Sequence, residues 1–243
     1  MRLRFIAVAL LFLFCSAHVA SGQEPVKLRI FTESYPPYNY MEHGRLIGLS
    51  TDIIVEIIER IGMKDSTTIE LEPWARGYNE VLNSKNAAIY GTVQSPGRMD
   101  KFKWVCPIGC AQIGVLARKD DGIVLKSLVD FQKYRIGVVR EDIGHQLIRG
   151  FVPERYLDIA NSSESNWKKL QDGRIDLFVY DAKVAAYALK YLGFDPDKYE
   201  VVYSLKKYPL CIAFNKNADE TIVNAFQKEL DALIQERDLE VCY

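Results

Sequence analysis

Short apolar runs alternate with amphipathic stretches along most of the chain. The isoleucines between positions 53 and 61 recur at helical spacing, and the apolar positions from 222 to 234 predict a closing helix. Runs that predict strands lie at 27–31, 67–71, 87–93, 113–117, 135–139, 157–160, 175–180, 201–203 and 211–214. Strands that alternate with helices favour parallel sheets covered by helices on both faces, so the predicted fold class is α/β.

The strand–helix pattern forms two similar series, and the second begins at Ser127. No linker rich in Pro, Gly or Ser separates them, so we expect two α/β lobes whose chain crosses between them near 113–118 and 210–215. Lobe 1 then contains residues 23–114 and 212–243, and lobe 2 contains residues 115–211. Two crossings make a two-strand hinge with a cleft, which suits closure around a ligand.

The N-terminus has the order of charges and apolar residues typical of a secretory signal peptide. Arg2 and Arg4 precede an unbroken apolar run at 5–14, and small or polar residues follow. That run is shorter than the ~20 residues that a membrane-spanning helix needs. We expect residues 1–22 to be removed before Gln23 and the mature protein to be periplasmic. Phe14 is too bulky for a lipid-attachment site at Cys15.

Charge and metal-ligating residues exclude several function classes. The first 22 residues hold two arginines and no acid, so 29 of the 31 basic residues remain against 32 acidic ones, a net charge of −3. No basic stripe indicates a nucleic-acid partner. His43 and His145 lie far apart in sequence, and no paired CxxC occurs, so we expect neither a metal nor a cofactor. We expect a monomer.

Four cysteines remain in the mature chain, and an even number in an exported protein suggests disulfides. Four cysteines allow three connectivities. Pro107 and Gly109 favour a turn, so we expect a Cys106–Cys110 bridge. Cys211 and Cys242 are then a second pair or two free thiols.

An ordered set of short motifs resembles a known family across nearly the whole mature chain. The motifs are Tyr-Pro-Pro-Tyr at 35–38, Gly-Arg-Leu-Ile-Gly at 44–48, Ser-Pro-Gly-Arg at 95–98, Ile-Gly-Val-Val at 136–139, Asp-Gly-Arg-Ile-Asp at 172–176, Asp181 and Cys-Ile-Ala-Phe at 211–214. They resemble the periplasmic substrate-binding proteins of the polar amino-acid type, solute-binding family 3. Glu-Pro-Trp-Ala-Arg at 72–76 and Phe-Lys-Trp-Val at 102–105 look like a stand-alone subgroup whose ligands are mostly unassigned.

The resemblance implies a type II periplasmic-binding-protein fold that closes around a small polar ligand, an amino acid or a related carboxylate. The partner would be an ABC permease or a membrane receptor. Arg98, with Ser95 in the same motif, matches the arginine that holds the ligand carboxylate, and a guanidinium grips such a group bidentately. The alternative is a surface arginine. Asp181 matches the partner of the ligand ammonium, and its alternative role is a helix N-cap.

One position departs from the family. Glu141-Asp142 stands where the family often has Gly-Thr, whose threonine binds the carboxylate. An acid there repels a carboxylate, so Asp142 points away or the ligand presents a cationic group. Tyr35 and Trp74 match the family's aromatic walls. For Trp74 the alternative is packing in the core.

Two further residues are candidates for the cleft. Arg76 could border it beside a helix N-terminus, and Glu33 follows the first strand. The fold also resembles that of a periplasmic dehydratase that acts on cyclohexadienyl acids. In such an enzyme, Glu33, Glu141 or Asp142 could be the acidic residue that assists the loss of water. No Ser/His/Asp or Cys/His set supports catalysis, so we predict a binding protein rather than an enzyme. A sensory module is the other alternative.

Overall fold

The computed structural model describes residues 27–237 and residue 242. The predicted signal peptide and its cleavage site lie outside these residues and stay predictions. No helix among the described residues is both long and apolar enough to cross a membrane.

Ten strands and six α-helices follow one another in the described chain. The strands are β1 (Leu28–Thr32), β2 (Tyr40–Glu42), β3 (Arg45–Ile47), β4 (Thr67–Leu71), β5 (Ala87–Val93), β6 (Phe102–Arg118), β7 (Ile136–Val139), β8 (Leu157–Ala160), β9 (Leu177–Asp181) and β10 (Tyr199–Asn215). The helices are α1 (Leu49–Arg60), α2 (Trp74–Asn83), α3 (Ile143–Ile148), α4 (Ser163–Gln171), α5 (Ala185–Tyr191) and α6 (Glu220–Arg237).

The two longest strands, β6 and β10, run antiparallel through the middle of an eight-stranded sheet. Its order is β4-β1-β5-β10-β6-β9-β7-β8. On one side β1 pairs in parallel with β4 and β5, and on the other β7 pairs in parallel with β8 and β9. The fold is the predicted α/β type: two lobes joined by two long strands. The exact lobe boundaries stay a prediction.

Alternation of side chains explains how each lobe buries its sheet. In β1 Leu28 and Ile30 are buried, whereas Arg29 between them is exposed and pairs with Glu70 of β4 at 3.0 Å. The isoleucines of α1 that recur at helical spacing are buried as predicted. Helix α6 packs back on the first lobe, where the Phe226 ring meets Phe214 of β10.

The predicted Cys106–Cys110 bridge is wrong. Cys106 is bonded to Cys211, with 4.6 Å between their Cα atoms, and Cys110 is bonded to Cys242, with 5.0 Å. The segment between Cys106 and Cys110 belongs to strand β6 rather than to a tight turn. An extended strand separates residues four apart by about 13 Å, beyond the reach of a disulfide. In the β6–β10 pairing, Leu210 lies opposite Gly109 and Ile212 opposite Val105, so Cys211 lies in a bulge near Cys106.

Candidate functional site

Three carboxylates meet at the cleft because each stands at the carboxyl end of a strand. Glu33 directly follows β1, Asp142 follows β7, and Asp181 ends β9. Open α/β sheets bind ligands at this edge. Together with Tyr35 and Tyr180 these three line a small cavity of about 20 Å³, which we call the acidic cavity. Both lobes contribute to it.

Local hydrogen bonds fix two of the carboxylates. Asp142 is the N-cap of α3, and its Oδ1 accepts the Ile143 N–H at 2.5 Å. Asp181 Oδ1 accepts the N–H groups of Gln112 and Lys183 at 3.1 and 2.8 Å. The Tyr35 hydroxyl donates to Asp181 Oδ2 across the cleft. Helix α5 begins at Ala185, so Asp181 does not cap the helix as its alternative role required but anchors the turn before it.

Burial and mutual repulsion disfavour the charged forms of these acids. Desolvation raises the pKa of Glu33 well above its ordinary value, the charge of Asp142 raises it further, and Arg98 lowers it. Desolvation also raises the pKa of Asp142, against the lowering effect of Arg98. The pKa of Asp181 is raised by burial, although the Tyr35 hydrogen bond opposes this. A cationic group bound in this cavity would favour the charged form of all three carboxylates and so lower their pKa values.

A second cavity adjoins the first at Glu33. It has a volume of about 80 Å³, and we call it the aromatic cavity. Its lining includes Trp74 at the start of α2, Trp167 of α4 and Tyr191 of α5. The Nε1 atoms of both tryptophans are buried and have no hydrogen-bond partner among the described residues. Ser163, in the first turn of α4, also lines the cavity.

Arg98 lies behind the cavities, fully buried. Its Nε donates to Gln146 Oε1 at 3.1 Å and its Nη2 to the Glu141 carbonyl at 2.9 Å. Its Nη1 donates to the Val93 carbonyl at 3.4 Å. The guanidinium carbon lies 4.9 Å from the centroid of the Trp74 ring. Arg98 precedes β6 in the first lobe, whereas Glu141 and Gln146 belong to the second, so two of these bonds join the lobes.

The sequence matches the family model for bacterial extracellular solute-binding proteins, family 3, over residues 28–243. The chain belongs to this family. A search of the curated proteins found no match.

Solved structures agree on the fold of this family 3 protein. An ancestral arginine-binding protein bound to arginine superposes with a TM-score of 0.74 at 19% identity, covering 87% of this chain and 93% of that one. A histidine kinase sensor domain with similarity to periplasmic binding proteins gives 0.75 at 18%, covering 88% and 92%. The substrate-binding protein of an amino acid ABC transporter gives 0.74 at 17%, covering 86% and 93%. The predicted type II periplasmic-binding-protein fold is confirmed.

Five of the eight ligand-binding candidates in this family 3 chain line the two cavities. They are Glu33, Tyr35, Trp74, Asp142 and Asp181. The other three are placed elsewhere. Arg98 lies behind the cavities, and the Ser95 carbonyl accepts the Arg98 N–H at 2.9 Å in a turn. Arg76 is exposed and pairs with Glu72 at 3.3 Å. Ligand binding by each of the eight stays a prediction.

Three aromatic residues of the second lobe were missed by the sequence analysis. Tyr180 ends a predicted strand beside Asp181, and that position is the signal that could have identified it. Trp167 and Tyr191 lie on helices, where the sequence pattern predicts that an aromatic residue packs in the core. No group of three or more potential metal ligands occurs in the described part of the chain.

Proposed function

We propose that this protein is an extracytoplasmic solute-binding protein that captures a small polar ligand, an amino acid or a related compound with a cationic amino group, by closing its two lobes. One observation supports this most: carboxylates from the ends of β1, β7 and β9 converge on one cavity that both lobes enclose. An ABC permease or a membrane receptor would receive the liganded form.

Contacts across the cleft support closure. Besides the Arg98 bonds, Tyr35 donates to Asp181, and the Tyr191 hydroxyl donates to the Met41 carbonyl at 2.9 Å. Each of these joins a residue of the first lobe to one of the second. Such polar contacts form or break as a unit when a hinge opens, and a ligand seated between the lobes favours the closed form.

A thermal-shift screen of amino acids, amines and dicarboxylates tests this function. A ligand at 100 times its Kd adds about 2.7 kcal/mol of stability, which raises the melting temperature by about 5–10 °C at this chain length. Small-angle scattering should then show a smaller radius of gyration with the ligand that the screen identifies. An unchanged scattering profile at saturation would contradict closure.

The sensory role is a second candidate, supported by the structural likeness to a histidine kinase sensor domain. Transport predicts that the liganded protein stimulates ATP hydrolysis by a reconstituted importer. Sensing predicts instead that the liganded protein binds a receptor domain and leaves ATP hydrolysis unchanged.

A further inference from the structure

The two cavities share one chemical character: acidic side chains line both, and basic side chains line neither. Glu33 borders both cavities, Asp142 and Asp181 border the acidic one, and Glu164 borders the aromatic one. Among residues 27–237, no Lys, Arg or His lines either cavity. Glu164 forms an ion pair with Lys168 at 2.5 Å, so the carboxylates that face a ligand are the other three.

No basic side chain among the described residues lines either of these two cavities, so a ligand carboxylate has no cation to meet there. The charge of Arg98 acts on Glu33, but this side chain is fully buried and each of its three nitrogens donates one hydrogen bond to a protein oxygen. A carboxylate placed in either cavity would be desolvated beside acidic groups and without a cationic partner, which is strongly unfavourable.

The aromatic cavity instead offers neutral donors. Trp74 and Trp167 are 2% and 0% exposed, and each has a buried indole N–H without an acceptor. A buried donor without a partner is costly, so a ligand oxygen that accepts from it is favoured. An amide or ketone oxygen accepts these bonds without bringing a negative charge close to Glu33. The tryptophan rings and Tyr191 also provide an apolar wall for the body of a ligand.

We infer that the ligand is an organic cation that carries an uncharged carbonyl and no carboxylate, with its amino or guanidino group in the acidic cavity and its carbonyl beside the two indoles. This inference rests on the proposed function and narrows its ligand class. It separates this chain from the structurally similar ancestral arginine-binding protein, which binds arginine or glutamine.

Two matched series test the ligand class by calorimetry: arginine, argininamide and agmatine, and phenylalanine, phenylalaninamide and phenethylamine. The amide keeps the carbonyl but loses the negative charge, and the amine lacks both groups. We expect the amide to bind about tenfold or more tightly than the parent acid in at least one series. The amine should fall between them. Tighter binding of both acids, or no binding by either series, overturns the ligand class.

The variant Trp167→Phe tests the position of the carbonyl. It removes one indole N–H and keeps an aromatic ring, so amide affinity should fall about two- to tenfold while amine affinity stays unchanged. Trp167 packs against Phe178 and Tyr199, so the melting temperature of the empty variant is measured as well. Trp74→Phe is the second variant should Trp167→Phe fail to fold. Equal losses for amide and amine would contradict the position.

These experiments distinguish a wrong ligand class from a wrong function. If the acids bind and compact the protein in scattering, the ligand class is wrong and the solute-binding function stands. If no compound of a broad screen shifts the melting temperature or the scattering profile, the proposed function itself fails.

Discussion

Replacing Arg98 by methionine separates two roles for this arginine. The substitution keeps a long, flexible side chain but removes the guanidinium. Two lost hydrogen bonds, to the Glu141 carbonyl and to Gln146, join the lobes. The third, to the Val93 carbonyl, lies within the first lobe. The structure therefore predicts that Arg98 stabilises the closed form whatever the ligand, whereas the family resemblance predicts that it grips a carboxylate.

The magnitude follows from the two bonds across the cleft. A hydrogen bond to a charged group contributes about 1.5–3 kcal/mol, so the pair contributes at most ~6 kcal/mol to closure. Desolvation of the guanidinium on closing offsets part of this. A net loss of about 2–4 kcal/mol corresponds to a Kd weakened about 30- to 900-fold.

Calorimetry with a matched acid and amide, such as arginine and argininamide, distinguishes the roles. A closure contact predicts equal fold losses for both ligands, and scattering of the empty variant should indicate a more open form. Arg174→Met is the matched control, because Arg174 is exposed, pairs with Asp172 on the surface and lines neither cavity. An affinity loss more than tenfold greater for the acid than for the amide would refute the closure role and restore the carboxylate grip.

Three further predictions follow from the site and the bridges. The pKa of Glu33 is raised in the folded protein, so stability should fall as pH rises from about its ordinary value near 4.5 toward the raised value and then level off. In melting curves, Glu33→Gln should remove this loss of stability with pH and raise the melting temperature at neutral pH. In calorimetry, the same variant should bind cations about 10- to 150-fold more weakly. In the pH range of that fall, cation binding should release protons, detected as a buffer-dependent binding enthalpy; no proton release in that range would contradict the raised pKa. Peptide mapping without reduction should recover Cys106 linked to Cys211 and Cys110 linked to Cys242, and a Cys106–Cys110 peptide would contradict the structure. Ligand recovered after long incubation should be chemically unchanged by NMR, whereas turnover would favour the dehydratase alternative.

The sequence predicts the elements inside each lobe well because their burial is regular. The strands at 67–71, 87–93 and 157–160 have the bounds that the structure shows. The apolar run at 87–93 is buried along nearly its whole length, and the isoleucines that recur at helical spacing in α1 form its buried face, so in both the apolar pattern follows burial.

The long hinge strands were predicted only in fragments. β6 and β10 each span 17 residues, but the apolar pattern predicts only 113–117 in the first, and 201–203 and 211–214 in the second. Their pairing shifts register at three places, including between Leu210 and Ile212. Each bulge changes which face the next residue occupies, so a strict alternation of apolar and polar positions is lost.

The candidate site, like the fold, could be predicted from the sequence only in part. Glu33, Asp142 and Asp181 could be predicted because polar residues at strand ends mark the cleft edge. The Arg98 contacts could not, because two of their three acceptors are backbone carbonyls. Glu141 has a φ of 57°, which is uncommon for a residue other than glycine, and at this turn its carbonyl accepts from both Arg98 and Gln146. A backbone conformation of this kind leaves no pattern in side-chain chemistry.

The two disulfides impose an order on oxidative folding. Their connectivity interlaces, since Cys106 and Cys110 both bond to cysteines more than 100 residues later, at separations of 105 and 132. Under the predicted export, which proceeds from the N-terminus, the two early thiols reach the oxidising side together and before either native partner. Correct covalent structure therefore waits for β10 and for Cys242. An early bridge between Cys106 and Cys110 would have to be exchanged through a mixed disulfide before the native pairs form.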